Sequence, residues 1–458
     1  LEGDLVKEIW TSLNFEAREK PRIGSHSTPS FTSPSSISFN TKEHRFLEHI
    51  LYTCVLYPLF GHFSNTQKKI MTSYSANDDP KILNDVYLAG KSTGSRWDIS
   101  CTNGFIDSIA EHVPSTSAQN TNRRFLAPSL CHPHIHLDKC FLLSHPKYAD
   151  LKIKDGDFAE AMRLTSEAKS RFEHDDLIER GRALIEESVR FGVTHMRAFV
   201  EVDQVVGLKC LEAGLALKNE FNGRCYVQIC VFAQDPIFSY DDGGEAMRCL
   251  LEEAASRPGV EVIGSTPYVE ENGDHDLQIK NMEWTINKAK QFKLHLDFHI
   301  DYNLDSSKRA MVLEAIRLLH SVGWSSDPDS PQFRSIVFGH CTRLTLFSNG
   351  EWLNLRDEIR GLPISFVGLP TSDLFMMGRP SGGVGGGQRA RGTLQIPQMI
   401  QKYGLNAAIG INNVGNAFTP QGSCDPLSLA SLGVGVYHAG TEEDAGILLV
   451  SGVLALMA

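Results

Sequence analysis

LAPSLCHPHIH, from Leu126 to His136, is the stretch whose reading decides the fold. Its apolar residues and its termination in histidine read as a strand that runs into a functional end. His134 and His136 stand at i and i+2, so on a strand both rings face the same side and can reach one cation at the usual zinc–nitrogen distance of about 2.0–2.1 Å. Alone, such a pair is a weak signal, because histidine pairs also fill polar cores. Its setting strengthens it: Leu137-Asp138-Lys139 follows, and two later apolar runs, HLDFHIDYN (His295–Asn303) and FGHCTRL (Phe338–Leu344), bring further histidines to strand ends.

Around this stretch the text repeats strand, loop and helix. After Leu126–His136 the candidate strands are Gly192–Val200, Arg224–Phe232, Glu261–Pro267, Lys293–Ile300, Arg334–His340, Pro363–Gly368 and Ala407–Ile411, with helix-like runs between them. Strands alternating with helices imply right-handed crossovers and a parallel sheet, and eight such units match a closed (β/α)8 TIM barrel. An open doubly wound sheet is the competing architecture. The position of His134, His136, His299 and His340 at the C-terminal ends of three predicted strands favours the barrel, where those ends converge on one mouth. In the fifth strand His295, Asp297, His299 and Asp301 share one parity. Unpaired polar groups inside a barrel cost several kcal/mol, about 2–7 per group, and a bound cation is the natural compensation at the outer end. For the deeper His295 and Asp297 the expectation is a hydrogen-bonded pair in a polar layer.

The 458 residues are 41% hydrophobic and 22% charged with a net charge of −11, an ordinary globular composition that disfavours nucleic acid or an anionic membrane as the main partner. Ten cysteines without a CxxC pair read as reduced thiols of a cytoplasmic protein. The apolar run Ile50–Phe60 is too short to span a bilayer. Residues 1–75, with a Ser/Thr/Pro-rich tract at Ser25–Ser36, read as a disordered or artefactual extension; 76–125 as a partial β-sandwich at the N-terminal side of the barrel; and 126–458 as the barrel.

PHIHLDK, FHIDYNLD, FGHCTRL and the late GINNVGNAFTPQGSCDPLSLA resemble, in order and spacing, the successive motifs of the cytosine deaminase-like branch of the amidohydrolase superfamily. The resemblance runs from about Val86 to the C-terminus. It implies a metal-dependent hydrolase that cleaves non-peptide C–N bonds of small heterocyclic or cyclic amide substrates, using one divalent metal ion, zinc or iron, at the barrel mouth. Carried over residue by residue, it makes His134, His136 and His299 metal ligands and His340 the strand-six histidine beside the reacting water. Gln234 becomes a contact to the heterocycle, and Arg379 with the RARG run echoes a basic loop. Related barrels often associate, which extends the expectation to homo-oligomers. The Gly-rich run 382–387 lacks a strand-to-helix context and reads as a mobile loop near the mouth, not a nucleotide cradle.

Two residues depart from the family pattern. Where the family ends strand eight with a ligating aspartate that takes the proton from water, this sequence has Asn412, whose amide cannot act as a base near neutral pH. Where the deaminases carry a glutamate three residues after the strand-five histidine, it has Tyr302, a phenol with pKa near 10. Three readings follow: a working hydrolase in which Asp301 and His340 take over proton handling while Tyr302 orients substrate; a form slowed by Asn412 in place of aspartate; and a ligand-binding member without catalysis. The family's closing sandwich strands are also absent from the text after GILLVSGVLALMA, so the small domain is expected to be half built, with apolar edges near 84–112.

Overall fold

The computed structural model describes residues 81–454 apart from 90, 93, 103–104, 114–123, 271–272, 328–329 and 379–390. The expected N-terminal extension, Arg379 and the Gly-rich run 382–387 lie outside the described residues. The described chain divides into two units, 81–127 and 128–454.

In the first unit, short alternating segments pair into one sheet. Strands β1 (Lys81–Leu88), β2 (Trp97–Thr102), β3 (Phe105–Glu111) and β4 (Arg124–Leu126) lie in the order β3-β2-β1-β4. The first three form an antiparallel meander, and β4 pairs parallel to β1. The expected sandwich is therefore a single four-stranded sheet among the described residues. Ile82, Phe105, Ile109 and Phe125 are exposed on it.

The second unit is the parallel barrel. Its strands are β5 (Leu130–His136), β6 (Val193–Glu201), β7 (Tyr226–Ala233), β8 (Val260–Ser265), β9 (His295–Ile300), β10 (Ile336–His340), β11 (Ile364–Gly368) and β12 (Ala407–Ile409). They run in sequential order, each parallel to the next. Every strand expected from the sequence is present, with no end shifted by more than four residues. The ring closes at Asn412, just beyond the end of β12. Asn412 bridges Ile135 in parallel, its carbonyl accepting from His136 N–H at 2.8 Å and its N–H donating to the His134 carbonyl at 3.1 Å. The helices cover the outside of the barrel. Several start on a capping side chain, as with Asp157 ahead of α1 (Phe158–Lys169) and Ser348 ahead of the helix at Asn349–Glu358.

Alternation sorts the strands into two faces. Outward residues such as Ile135, Ile229, Leu296 and Phe338 join the large core beneath the helices. Inward residues fill the barrel in layers, with Phe199, Cys230, Phe232 and Val262 packed as one apolar group. Below lies a polar layer that differs from expectation. Asp297 pairs not with His295 but with Arg197 of β6, Nη1 to Oδ2 at 2.9 Å, and Arg197 Nε donates to Gln228 Oε1 at 2.8 Å. His295 turns instead to Ser335, at 2.8 Å. The sequence reading missed Arg197 because parity identifies a polar layer without saying which strands meet in it.

Removing one partner of a buried ion pair leaves a bare charge in low dielectric. Arg197→Leu is therefore expected to lose about 3–5 kcal/mol in urea unfolding. A loss below 1 kcal/mol would show that the pair is not buried in solution as it is here.

Candidate metal centre and cavity

β5, β9 and β10 bring four imidazoles to the mouth. His134, His136 and His299 each offer a ring nitrogen, and these atoms all lie within 4.8 Å of one another, close enough to hold one metal ion. The ring centroids of His134 and His299 are 4.4 Å apart, and those of His136 and His299 are 5.3 Å apart. His340 stands 5.2 Å from His299. Such crowding requires a bare neighbour: a Cβ on Gly339 would sit 3.1 Å from His134 and 3.4 Å from His299. From below, Phe199 packs 4.2 Å from His134 and Phe232 4.2 Å from His299.

The donor set fits a cation. His134, His136 and His299 are at most 2% exposed, and both nitrogens of His134, Nδ1 of His136 and Nε2 of His299 have no hydrogen-bond partner. Burial, with the Lys139 ammonium adding to it, pushes all three rings well below the usual histidine range, so they are neutral and keep free lone pairs. Asn412 adds an acceptor. Its Nδ2 donates to Ser372 Oγ at 2.8 Å, which turns the buried Oδ1 toward His134. Buried lone pairs left unmet are costly, and a metal ion satisfies them together.

Asp301, His340 and Asn412 all follow or end barrel strands with left-handed backbone, φ 55°, 66° and 69°. Non-glycine residues seldom hold that conformation, and here it turns each chain out of its strand at the mouth. The turn separates their side chains. His340 Nδ1 meets Asp373 Oδ1 at 2.8 Å, and Asp373 Oδ2 accepts from Thr393 Oγ1 at 2.7 Å. With the carboxylate accepting, Nδ1 carries the proton and Nε2 has the lone pair. Asp301 stands apart from the imidazoles. Its two oxygens accept from Met311 N–H at 2.8 Å and Val312 N–H at 3.0 Å, at the start of the helix Val312–Ser321, and burial raises it to about 6 against those bonds.

A cavity opens onto the centre. Gln234, Tyr302, His340 and Asn412 line it, as do Lys139 and Asn413. The Tyr302 ring lies 4.0 Å from that of His340, its hydroxyl 3.5 Å from the Ser372 carbonyl. Phe158, Tyr268 and Phe418 complete an aromatic wall. Lys139 donates to Glu201 Oε1 at 2.6 Å and Gln234 Oε1 at 3.1 Å. Although burial opposes it, Lys139 and Lys169 hold Glu201 down at about 2. His136, Asp138 and Glu201 form a second group spaced for a metal, but the Lys139 ammonium already supplies a cation to that carboxylate.

Sequence reasoning missed the roles of Lys139, Asp373 and Asn413. The first and last sit in the quoted motifs HLDK and INNVGN, where adjacency to a site residue was the available signal. Asp373 lies 33 positions from His340 and left none.

No family model matches the sequence. The chain is 26% identical over 242 residues to N-isopropylammelide isopropyl amidohydrolase of Pseudomonas sp. (strain ADP), a match covering 49% of this chain and 54% of that protein. It thus spans about half the length of the curated relative it matches. The 5-methylcytosine deaminase of Klebsiella pneumoniae, solved with 5-fluorocytosine, is similar with a TM-score of 0.68 at 20% identity, covering 82% of this chain and 86% of that one. N-isopropylammelide isopropylaminohydrolase of Burkholderia multivorans ATCC 17616 is similar with a TM-score of 0.60 at 19% identity, covering 82% and 87%. The chain therefore shares the fold of these solved deaminase and aminohydrolase structures. The resemblance read from the motifs agrees with these matches in fold. No helix among the described residues is long and apolar enough to cross a membrane.

One equivalent of zinc or ferrous ion is expected to bind and raise the melting temperature, by about 2.7 kcal/mol of stability at a free concentration one hundred times Kd. His136→Ala should abolish that shift. Without metal, stability should fall as pH drops below about 6.5, because the unfolded chain takes up protons that the buried rings refuse. A wild-type melting curve indifferent to added metal would contradict the centre.

Proposed function

We propose that this protein is a metal-dependent hydrolase that cleaves a non-peptide C–N bond of a small heterocyclic or cyclic amide substrate, releasing ammonia or an amine. The observation that carries the proposal is the set of buried, unpartnered imidazole nitrogens beside a cavity whose other wall is aromatic. The activities of the similar proteins, on 5-methylcytosine and N-isopropylammelide, are of this class.

His134, His136 and His299, with the Asn412 amide oxygen beside them, would hold the ion. A divalent ion of this kind supplies a Lewis acid and acidifies water towards neutral pKa. The chain's own groups then manage protons and position. His340 Nε2 takes the proton from the attacking water, its tautomer set by Asp373. Water adds across the C–N bond: its oxygen stays on the ring carbon, and the proton passes from His340 to the departing nitrogen. Gln234, Lys139 and the face of Tyr302 orient the ring, and the aromatic wall excludes bulk water. Asp301 acts here as a helix cap in place of the base role read from its strand parity. The protein is small-molecule directed, and its working metal is zinc or iron.

A second reading has a specific observation behind it. Asn412 is neutral where a carboxylate would serve both as ligand and as base, which favours a slow or purely ligand-binding protein. A screen of pyrimidines and triazines for released ammonia or amine, and of hydantoins and lactams for the ring-opened product, tests the two. Asn412→Asp is expected to tighten metal and raise the rate at least about tenfold, the low end of assistance from a general base. Equal rates would assign the base role to His340 alone, and no product from any ring in either form would leave the ligand-binding reading.

Asp301→Asn separates a cap from a base. The cap role predicts a loss of about 1–3 kcal/mol in urea unfolding, as a buried N–H loses its acceptor, with kcat changed less than threefold. A hundredfold fall in kcat at unchanged stability would restore Asp301 as the base.

A further inference from the structure

We propose that α1 is a hinged roof over the cavity and that Lys169 is the positioning residue that latches it, so that seating or releasing this one ammonium sets how often the centre opens to an incoming molecule. The inference rests on the reading of the cavity as the place where substrate binds, and it names the part that moves to let substrate in.

The cavity has a volume of about 20 Å³, room for about one water, whereas sites for small molecules run to about 300–1,000 Å³, so a wall has to give way before a ring can enter. Three of the four aromatic side chains are pinned. Tyr302 lies on His340 with ring centroids 4.0 Å apart, and Phe418 is 6% exposed with its N–H donating to Asn416 Oδ1 at 3.0 Å. Tyr268 sits in the short helical turn Pro267–Val269, and Glu270 just after it accepts from Ile237 N–H at 2.9 Å, Ser239 Oγ at 2.6 Å and Asn281 Nδ2 at 2.7 Å. Phe158 is the exception. It is half-buried and meets Tyr268, Tyr302 and Phe418 edge-on, at centroid distances of 6.3, 6.1 and 5.8 Å.

The helix that carries Phe158 is held unequally at its two ends. At the first, Asp157 Oδ1 accepts from Glu160 N–H at 2.8 Å, and the Glu160 carboxylate gathers the N–H groups of Lys154, Asp155 and Gly156 at 3.0, 2.8 and 2.6 Å. Those bonds tie the leading loop to the helix, and neither to the barrel. At the far end Lys169, 3% exposed, reaches Glu201 Oε2 at 2.8 Å, Asp203 Oδ2 at 2.6 Å and Asp235 Oδ2 at 3.0 Å, all on segments at the ends of β6 and β7. Among the described residues, no other polar side-chain bond leaves α1 for a segment beyond its flanking loops. The receiving side is rigid, since Asp203 Oδ1 also accepts from the N–H groups of Val205 at 2.7 Å and Val206 at 3.0 Å. Although burial opposes it, Glu201, Asp235 and Asp203 raise Lys169 well above the usual lysine range, so the latch stays charged. The buried Leu164 and Ala168 lie in the half of the helix next to Lys169, and the other half adds only Ala161 to the core. From Lys169 to Phe158 the helix is a lever of about 16 Å, so a tilt of about 15° lifts the ring by about 4 Å.

The test is the reaction of the metal-free full chain with diethyl pyrocarbonate, which transfers an ethoxycarbonyl group to a neutral imidazole and is too large for the closed cavity, with each histidine followed by peptide mass spectrometry. His136, His299 and His340 line the cavity and report its opening. His132, buried against Ser188 Oγ at 3.0 Å and not among the lining residues, reports unfolding of the whole barrel. Lys169→Met is expected to speed modification of the three cavity histidines at least about tenfold while His132 stays slow, as a local opening requires. Asp235→Asn removes the most exposed of the three carboxylate partners and should speed them about threefold, which carries the test should Lys169→Met fail to fold. Phe158→Ala opens the roof directly, so adding Lys169→Met to it should change little. Unchanged rates at the cavity histidines, a rise that His132 shares, or full additivity with Phe158→Ala overturns the latch. No metal and no substrate take part, so the result stands whether or not any ring is hydrolysed, and the two readings fail separately.

Discussion

The structure depends on one backbone clasp. Asn412 exchanges two hydrogen bonds with His134 and His136, and through them the strand that ends the barrel is joined to the strand that begins it. Without that join the eight strands form an open sheet with an unpaired edge at both ends. With it, the last residue of the ring lies between two residues of the candidate metal centre, so closing the barrel and assembling that cluster are a single event. The side chain at 412 is thereby committed to the site whatever its chemistry.

Closure makes the interior dry, and dryness sets the chemistry of every group inside. Buried imidazoles stay neutral and keep lone pairs for a cation. Buried charges survive only in pairs, as Arg197 with Asp297 and Lys139 with Glu201. The same constraint orders the layers: apolar rings from β6 and β7 brace the histidines, and the paired charges sit below and beside them. A polar residue in this barrel has its orientation dictated by its neighbour, as Gln234 turns its Oε1 to Lys139.

Asp301 illustrates how parity misleads at a strand end. Its side-chain parity on the extended strand would match that of His299, but a left-handed residue breaks the alternation and swings the carboxylate to a helix start. His340 shows the converse. Its place at a strand end was legible, yet the Asp373 contact that fixes its proton comes from the short helix Pro370–Met376 after β11, and no spacing in the chain announces it.

Much of this architecture was written in local pattern. The eight barrel strands, their order, and the residues His134, His136 and His299 follow from alternation, from the two-residue spacing of HIH, and from histidines at strand ends, because period and parity are properties of neighbouring residues. The resemblance of four motifs added Gln234, His340 and the significance of Asn412. Tertiary structure alone decided the partners: Arg197 for Asp297, Asp373 for His340, and Glu201 for both Lys139 and Lys169. Those contacts join separate segments, and their geometry comes into being only when the barrel closes and water leaves.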